Sequence, residues 1–328
     1  MHFRRKNRFN NNQIMKSNKT IYRLLFMLTI LGMVGANTAS AQTTKVIYFL
    51  SGPKDHAWNG RHETEKDLLV LQRCIDSITN IKGVKIVTKF IAKRTEHDIN
   101  DIKDAAAIIV ECSSESSTTK FQTNPLFPAN TSPKNNTYDK DVLAYLNQLD
   151  SLHKAGMGIM ILHWGIATDN QRARDYYISW FGGSSMPNYT QNPLGFWSIT
   201  PMDAGKKHPI MQGVGPWIYK DEIFSRLVVT PGDEKHRTNL LMGETPRSNM
   251  GAIAPRCVAW AYQDGLSRGL LWGGMDYHAG LLNDDYRRFL MNAIVWTAGI
   301  DVPKGGVKSS AKGLQIATSR PDEFDKLK

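Results

Sequence analysis

Residues 157–166, MGIMILHWGI, constrain what this chain can fold into more than any other stretch. The run at 158–162 is too short and too uniformly apolar for an amphipathic helix, so it reads as a central strand of a parallel sheet covered on both faces. His163 then stands at the carboxyl end of that strand. Ligands of open α/β sheets bind at that edge, which makes an imidazole leaving the sheet there a candidate functional group. The alternative is a hydrogen-bonded core histidine, and partners elsewhere in the chain decide between the two.

The N-terminal residues 1–41 have the plan of an export signal. Lys16, Lys19 and Arg23 precede an apolar run at 24–34, and Ala39-Ser40-Ala41 has the small-x-small pattern of a cleavage site. The run is well short of the roughly 20 residues that cross a bilayer, and no cysteine follows the cleavage site, so no stable membrane anchor is expected. The expected location is periplasmic or extracellular. Met15 is an alternative start, since the segment before it is polar and Asn-rich. Removing 1–41 takes away seven of the 41 Lys and Arg and none of the 30 Asp and Glu, so the net charge falls from +11 to +4. No basic stripe with interleaved aromatics survives, which sets nucleic acid aside as a partner. The remainder is long enough to bury a sizeable core. Cys74, Cys112 and Cys257 are too few and too scattered for a disulfide framework and read as small hydrophobes, with one disulfide open in an oxidising compartment.

Strands are expected at 46–50, 84–90 and 105–110, with a helix over 63–79 between the first two, the order of a βαβ sheet. Residues 113–137 form a Ser/Thr/Asn/Pro-rich insertion with the character of a lid or rim loop. Helical periodicity returns over 138–153 and 169–181, followed by a turn-rich, β-like stretch with strands at 195–200, 227–230, 239–242, 257–262 and 269–272. A last amphipathic helix covers 284–296, with Tyr286, Phe289, Leu290, Ala293 and Ile294 on one side, and the Gly/Lys/Ser-rich tail at 304–328 is expected to pack loosely if at all.

Four histidines fall at strand ends or in the loops that follow: His56, His62, His163 and His278. In a parallel sheet such edges converge, so these residues can meet despite their separation. Imidazoles with a carboxylate suit a divalent metal such as zinc, or acid–base work near neutral pH. No H-E-x-x-H pairing is present. Asp221-Glu222 can supply the carboxylate, although such a pair is more often a solvated turn; Asp276 and Tyr277 stand beside His278 in a glycine-preceded turn that lets backbone approach a ligand. His208 reads as structural, and His97, His153 and His236 lie in polar, exposed-looking surroundings. Trp58, Trp164, Trp180, Tyr189, Trp197 and Tyr277 gather near the loop edges, where flat rings can stack on sugars or simply pack.

These residues also carry a resemblance. GPKDHAWNGRHE after the first strand, ILHWG, HPIMQGV, the DE of YKDEIF, RGLLWGGMDYHAG and DDYRRFLMNAIVWTAGI follow in order the pattern of ThuA-like (trehalose utilisation) proteins, from about residue 45 to 303. The resemblance implies an α/β domain over 42–303, a flavodoxin-like or class I glutamine amidotransferase-like parallel sheet with helices on both faces. In amidotransferases the matching strand end carries a cysteine on a sharp elbow; here His163 takes that place and no Gly-x-Cys-x-Gly occurs, so a glutaminase is not expected. What the resemblance implies instead is carbohydrate metabolism: a hydrolase, lyase or isomerase of an oxidised (3-keto) disaccharide or glycoside, with a small carbohydrate as partner. The roles it suggests are His163, Glu222 and His278 in catalysis, His56, His62, His163 and His278 as metal ligands, and Trp58, Trp164, Asp221, Asp276 and Tyr277 at the substrate. Many relatives read Gly-His where this chain has Gly274-Met275, so a ligand at that position is lost or passes to His278. A non-catalytic carbohydrate-binding protein, a vestigial scaffold and a homo-oligomer remain open at this point.

Overall fold

A computed structural model describes residues 42–52, 60–92, 98–112, 124–127, 140–167 and 171–313. Apart from Gln42 these belong to one unit, Thr43–Lys328. The export signal at 1–41, the loop residues His56 and Trp58, His97, most of the 113–137 insertion and the tail beyond 313 lie outside the described residues.

The chain order is β1 (Thr43–Ser51), α1 (Thr64–Asp76), β2 (Val84–Ile91), β3 (Ala107–Glu111), α2 (Lys140–Lys154), β4 (Gly158–Leu162), α3 (Gln171–Phe181), β5 (Gly183–Ser184), β6 (Leu194–Pro201), β7 (Trp217–Glu222), β8 (Val228–Val229), β9 (Arg237–Thr245), β10 (Ile253–Asp264), β11 (Ser267–Trp272) and α4 (Asp284–Thr297). Among the described residues nine strands form one sheet in the order β2-β1-β3-β4-β11-β10-β9-β6-β7, and β5 pairs with β8 in a separate ribbon. Its first five strands are mutually parallel. They read 2-1-3-4-5 when renumbered, a common doubly wound order. As expected, 158–162 is an interior strand with parallel neighbours on both sides, and all five of its residues are buried.

The other half corrects the expectation of a parallel sheet, because β11/β10, β10/β9, β9/β6 and β6/β7 are all antiparallel. For β10 and β11 the physical cause is connection length. Gly265 and Leu266 alone join β10 to β11, Gly265 has φ +58°, and two residues can return a chain only as a hairpin. Alternate reversals along β10, β9, β6 and β7 leave β7 running in the same direction as β11. Its carboxyl end, Asp221-Glu222, therefore emerges at the same edge as His163.

Side-chain alternation along the strands divides the core in two. Ile47 and Phe49 of β1 and Met160 and Leu162 of β4 pack with α1 and α4 on one face. Tyr48, Leu50, Ile159 and Ile161 pack with α2 and α3 on the other, so the period of two along each strand places helices on both faces. Trp180 and Trp197 are wholly buried, so they are core packing rather than edge aromatics. His153 is also buried, contrary to its polar sequence surroundings, and its Nδ1–H donates to the Met157 carbonyl at 2.8 Å. The three cysteines are free thiols.

Helix α4 starts where the Asn283 side chain accepts from the Asp285 and Tyr286 amides. It is buried on nearly every side rather than along one stripe. One contributor is the described part of the tail, 304–313, which is bound and not loose: the Val307 amide donates to Asn292 Oδ1 and the Lys308 amide to Asn80 Oδ1. Asn292 Nδ2 donates in turn to the carbonyls of Ile210 and Gln212, so one buried amide side chain satisfies three backbone groups. No helix among the described residues is long and apolar enough to cross a membrane.

Candidate metal centre at the sheet edge

His163 ends β4 with φ +47°, a left-handed backbone that a β-branched or bulky residue adopts only under constraint. That turn lifts its ring off the strand, as an elbow would. His62 shares the conformation at φ +46°, and Met275, just before Asp276, has φ +96°. Three strained non-glycine residues thus flank one spot. The glycines before Met275 are required by space: a Cβ at Gly273 would lie 2.3 Å from the Phe224 carbonyl oxygen, and one at Gly274 would lie 2.6 Å from the Asp221 carboxylate.

At that spot one ligand atom each from His62, His163 and Asp276 lies within 4.8 Å of the others, and all three side chains are buried. The two Nε2 atoms are 3.2 Å apart, and Asp276 Oδ1 is 3.3 Å from His62 Nε2 and 3.7 Å from His163 Nε2. Four tetrahedral bonds of about 2.0–2.1 Å to a zinc-like ion put neighbouring ligand atoms about 3.3–3.4 Å apart, close to these separations. The remaining atoms of the group are already committed. His163 Nδ1 faces the Gly273 carbonyl at 3.2 Å, and since a carbonyl only accepts, Nδ1 carries a proton; in the neutral ring Nε2 then turns a lone pair toward the cluster. Asp276 Oδ2 accepts from Arg61 Nε at 2.5 Å, while Oδ1 is buried with no hydrogen-bond partner. A buried carboxylate oxygen facing two imidazole nitrogens fits a divalent cation, and two histidines with one carboxylate is a recurrent metal-binding set. Burial drives the Asp276 carboxyl upward, against the pull of His62 and Arg61.

Asp221 holds this arrangement from beneath. It is wholly buried in β7 rather than in a solvated turn, and its carboxylate accepts from the amides of Met275, Asp276 and Glu222 at 2.9–3.0 Å. Burial raises its carboxyl to about 7, with the amide donors opposing. Asp221 is therefore a positioning group for the 275–277 turn. Glu222 stands nearer solvent: Oε2 accepts from Arg61 Nη2 at 2.7 Å and Oε1 from the exposed Asn192 Nδ2 at 2.6 Å. Arg61 thus links Asp276 to Glu222, and its guanidinium also lies 5.2 Å from the centre of the Tyr277 ring. Trp164 meets the edge of His62 at 5.5 Å, and Phe224 packs edge-on to His163 at 5.3 Å.

His278 is not in the three-residue group, and Asp276 occupies the place expected for it. The left-handed turn at Met275 carries Asp276 to the imidazoles. His278, two residues further, begins a short 3-10 turn and meets α1 instead, where its Nδ1 bonds Asp67 Oδ1 at 2.6 Å with both side chains fully buried. Burial raises Asp67 to about 6, with His278 opposing. Beside it burial, then the Asp67 charge, pushes the Glu111 carboxyl well above its ordinary range. Sequence reasoning missed Arg61, Asp67 and Glu111. Only Arg61 left a signal, its place next to His62; the two acids sit in periodic apolar segments that read as core.

The fold and this group of side chains define an α/β protein with a candidate metal centre at the carboxyl edge of its sheet. Two solved structures share that fold. A protein from Bacteroides uniformis described as ThuA-like is 15% identical, with TM-score 0.52 and coverage of 81% of this chain and 96% of its own. Another described as ThuA-like, from Parabacteroides merdae, is 11% identical, with TM-score 0.51 and coverage of 82% and 98%. The chain thus has the fold of ThuA-like proteins, in accord with the resemblance of its motifs. No protein-family model and no curated protein matches it.

Proposed function

We propose that this chain is an exported metalloenzyme of the ThuA-like, trehalose-utilisation-related family, acting on an oxidised (3-keto) disaccharide or glycoside. One observation carries the reading: His62, His163 and Asp276 converge with Asp276 Oδ1 buried beside both imidazoles and without a hydrogen bond, while His163 Nδ1 is occupied by the Gly273 carbonyl. These three residues would hold a divalent ion such as zinc. When bound, such an ion supplies a positive charge that polarises a sugar carbonyl.

Glu222 is the base in this proposal. Arg61 and Asn192 each bond one of its carboxylate oxygens, which fixes the group at the outer margin of the cluster. A ketone at C3 of a sugar acidifies the hydrogen at C2; the carboxylate takes that proton and the C–H electron pair moves into the carbonyl, giving an enediolate. Collapse of the enediolate forms the C1–C2 double bond and expels the glycosidic oxygen from C1, which takes the proton back from the Glu222 carboxyl, as in a lyase. Return of that proton to C3 instead, with the O2 proton passing to O3, shifts the ketone to C2, as in an isomerase. His163 serves as a ligand rather than a base, because its only outward nitrogen faces the cluster. Its strand-end position is that of the nucleophile in a glutamine amidotransferase-like scaffold, and an imidazole there cannot form the thioester of a glutaminase.

The test is turnover of 3-keto-trehalose and 3-keto-glucosides by the purified protein, with and without chelator. Activity lost on chelation, restored by zinc and reduced at least a hundredfold by Glu222→Gln is expected. No turnover by the wild type, or undiminished turnover by Glu222→Gln, overturns the assignment.

A further inference from the structure

A polar cavity lies on the antiparallel half of the sheet, apart from the metal-type cluster. It is a cleft of about 470 Å³ lined by Tyr189, by Arg226, by Arg237 and Asn239 of β9, and by Arg256 and Trp260 of β10, among others. Three arginines line it, and no Asp or Glu is among its described lining residues. None of the three arginines forms an ion pair with a carboxylate among the described residues. Arg237 Nη1 is buried and has no hydrogen-bond partner.

Such a cluster is costly without a counter-charge. Like charges repel, and a buried N–H without an acceptor forfeits a hydrogen bond. The arrangement is nevertheless built, not accidental. Arg226 is held at φ +57° with its guanidinium 4.5 Å above the Tyr189 ring, and Arg256 Nη1 donates to Gln191 Oε1 at 3.0 Å. Burial, then the charge of Arg226, holds Arg256 below the usual guanidinium range, in keeping with two cations facing each other without a counter-charge. Guanidinium forks match the oxygens of carboxylate, sulfate and phosphate, and a cleft of this size takes a molecule of sugar dimensions.

We propose that this cleft is a binding site for a small organic oxyanion, a ring of sugar size bearing a carboxylate, sulfate or phosphate group, held by Arg226, Arg237 and Arg256. The site is independent of the reaction proposed above, since its occupancy is read by direct binding. Segments 189–192 and 222–226 pass from one site to the other: Asn192 bonds Glu222 at the first, and Tyr189 stacks on Arg226 at the second. The cleft can therefore serve as an anion subsite for a longer substrate or as a separate effector site.

Isothermal titration of the full-length protein with glucose 6-phosphate, glucose 6-sulfate, glucuronate, inorganic phosphate and glucose tests this. Saturable one-to-one binding of at least one anionic sugar, no binding of glucose, and an affinity at least tenfold lower in both Arg226→Gln and Arg256→Gln are expected. The response to the three sugars identifies the anion, and binding of inorganic phosphate separates a bare oxyanion site from one that reads the ring. A second measurement needs no variant: phenylglyoxal modification of Arg226, Arg237 and Arg256 in the wild-type protein should slow at least threefold in the presence of the ligand. Absence of binding by all the anions, binding that the two substitutions leave unchanged, or modification that the ligand does not slow overturns the proposal.

Discussion

His62 Nε2 and His163 Nε2 face each other at 3.2 Å, from segments separated by a hundred residues of chain, and both backbones are left-handed. Two neutral imidazoles can share one proton at that distance, but Asp276 Oδ1 then stays unsatisfied in a buried site. A cation satisfies all three.

The first expectation follows directly. Wild-type protein purified with zinc should carry about one ion per chain by elemental analysis, and His62→Ala, His163→Ala and Asp276→Ala should each lower affinity by at least a hundredfold. Retention of stoichiometric zinc by all three variants would sink the metal assignment. Because a ligand that binds only the native state stabilises it, chelation should also lower the melting temperature of the wild type and leave that of His163→Ala unmoved.

His278 offers the contrasting case. Its bond to Asp67 is fully buried, so His278→Ala leaves a carboxyl without its partner and should cost about 3 kcal/mol of stability. Zinc content should nonetheless stay near one per chain, since His278 is outside the three-residue group. Loss of zinc from a folded His278→Ala protein would restore that histidine to the ligand set.

Asp221→Asn should damage the centre without touching it. The substitution keeps the shape but replaces an acceptor oxygen by a donor facing the amides of the 275–277 turn, at a cost of about 2–3 kcal/mol. Denaturant unfolding and zinc titration should both weaken, whereas exposed Asp203→Asn should change neither. Wild-type zinc affinity in Asp221→Asn would show that the turn is held by other means.

Acid should destabilise the protein through His208. Burial, then the charge of Arg268, pushes its imidazole down to about 4, and its Nδ1 accepts from the Ile210 amide, as only a neutral ring can. An unfolded histidine takes up its proton near pH 6.5, so between about 6.5 and 4 the unfolded chain binds a proton that the native state refuses. The stabilisation is complete above pH 6.5 and shrinks as pH falls, by up to about 3 kcal/mol near pH 4. Buried His153, whose pKa is also lowered by burial, adds a contribution of the same sign. Urea unfolding of metal-free protein at pH 7 and pH 5 should show the loss, and His208→Asn should flatten it; an unchanged slope in that variant would refute the cause.

The parallel half of the fold was legible in the chain because its signals are local. An apolar run such as 158–162 can be only a buried strand at that length, the period of 3.6 marks α1 and α2, and turn residues bound each element. His163 and His62 were legible as site candidates for the same reason, since residues that follow strands of a parallel sheet are delivered to one edge. Strand β7 was not legible, as Trp217–Glu222 carries an Asp-Glu pair that reads as a solvated turn until the backbone amides it accepts from are known.

What only the tertiary structure decided is which polar groups meet. Sequence order puts Asp276 and His278 two residues apart with equal claims on the cluster. A left-handed backbone at Met275, set by the crowding around Gly273 and Gly274 and by the Asp221 carboxylate, sends one to the imidazoles and the other to Asp67. The described part of the tail shows the same division: its Gly, Lys and Ser composition has no pattern of burial, yet Asn292 and Asn80, remote from each other in the chain, each accept one of the hydrogen bonds that hold it. Local propensity depends on neighbours in sequence and can be read there, whereas the direction of a buried side chain depends on neighbours in space and cannot.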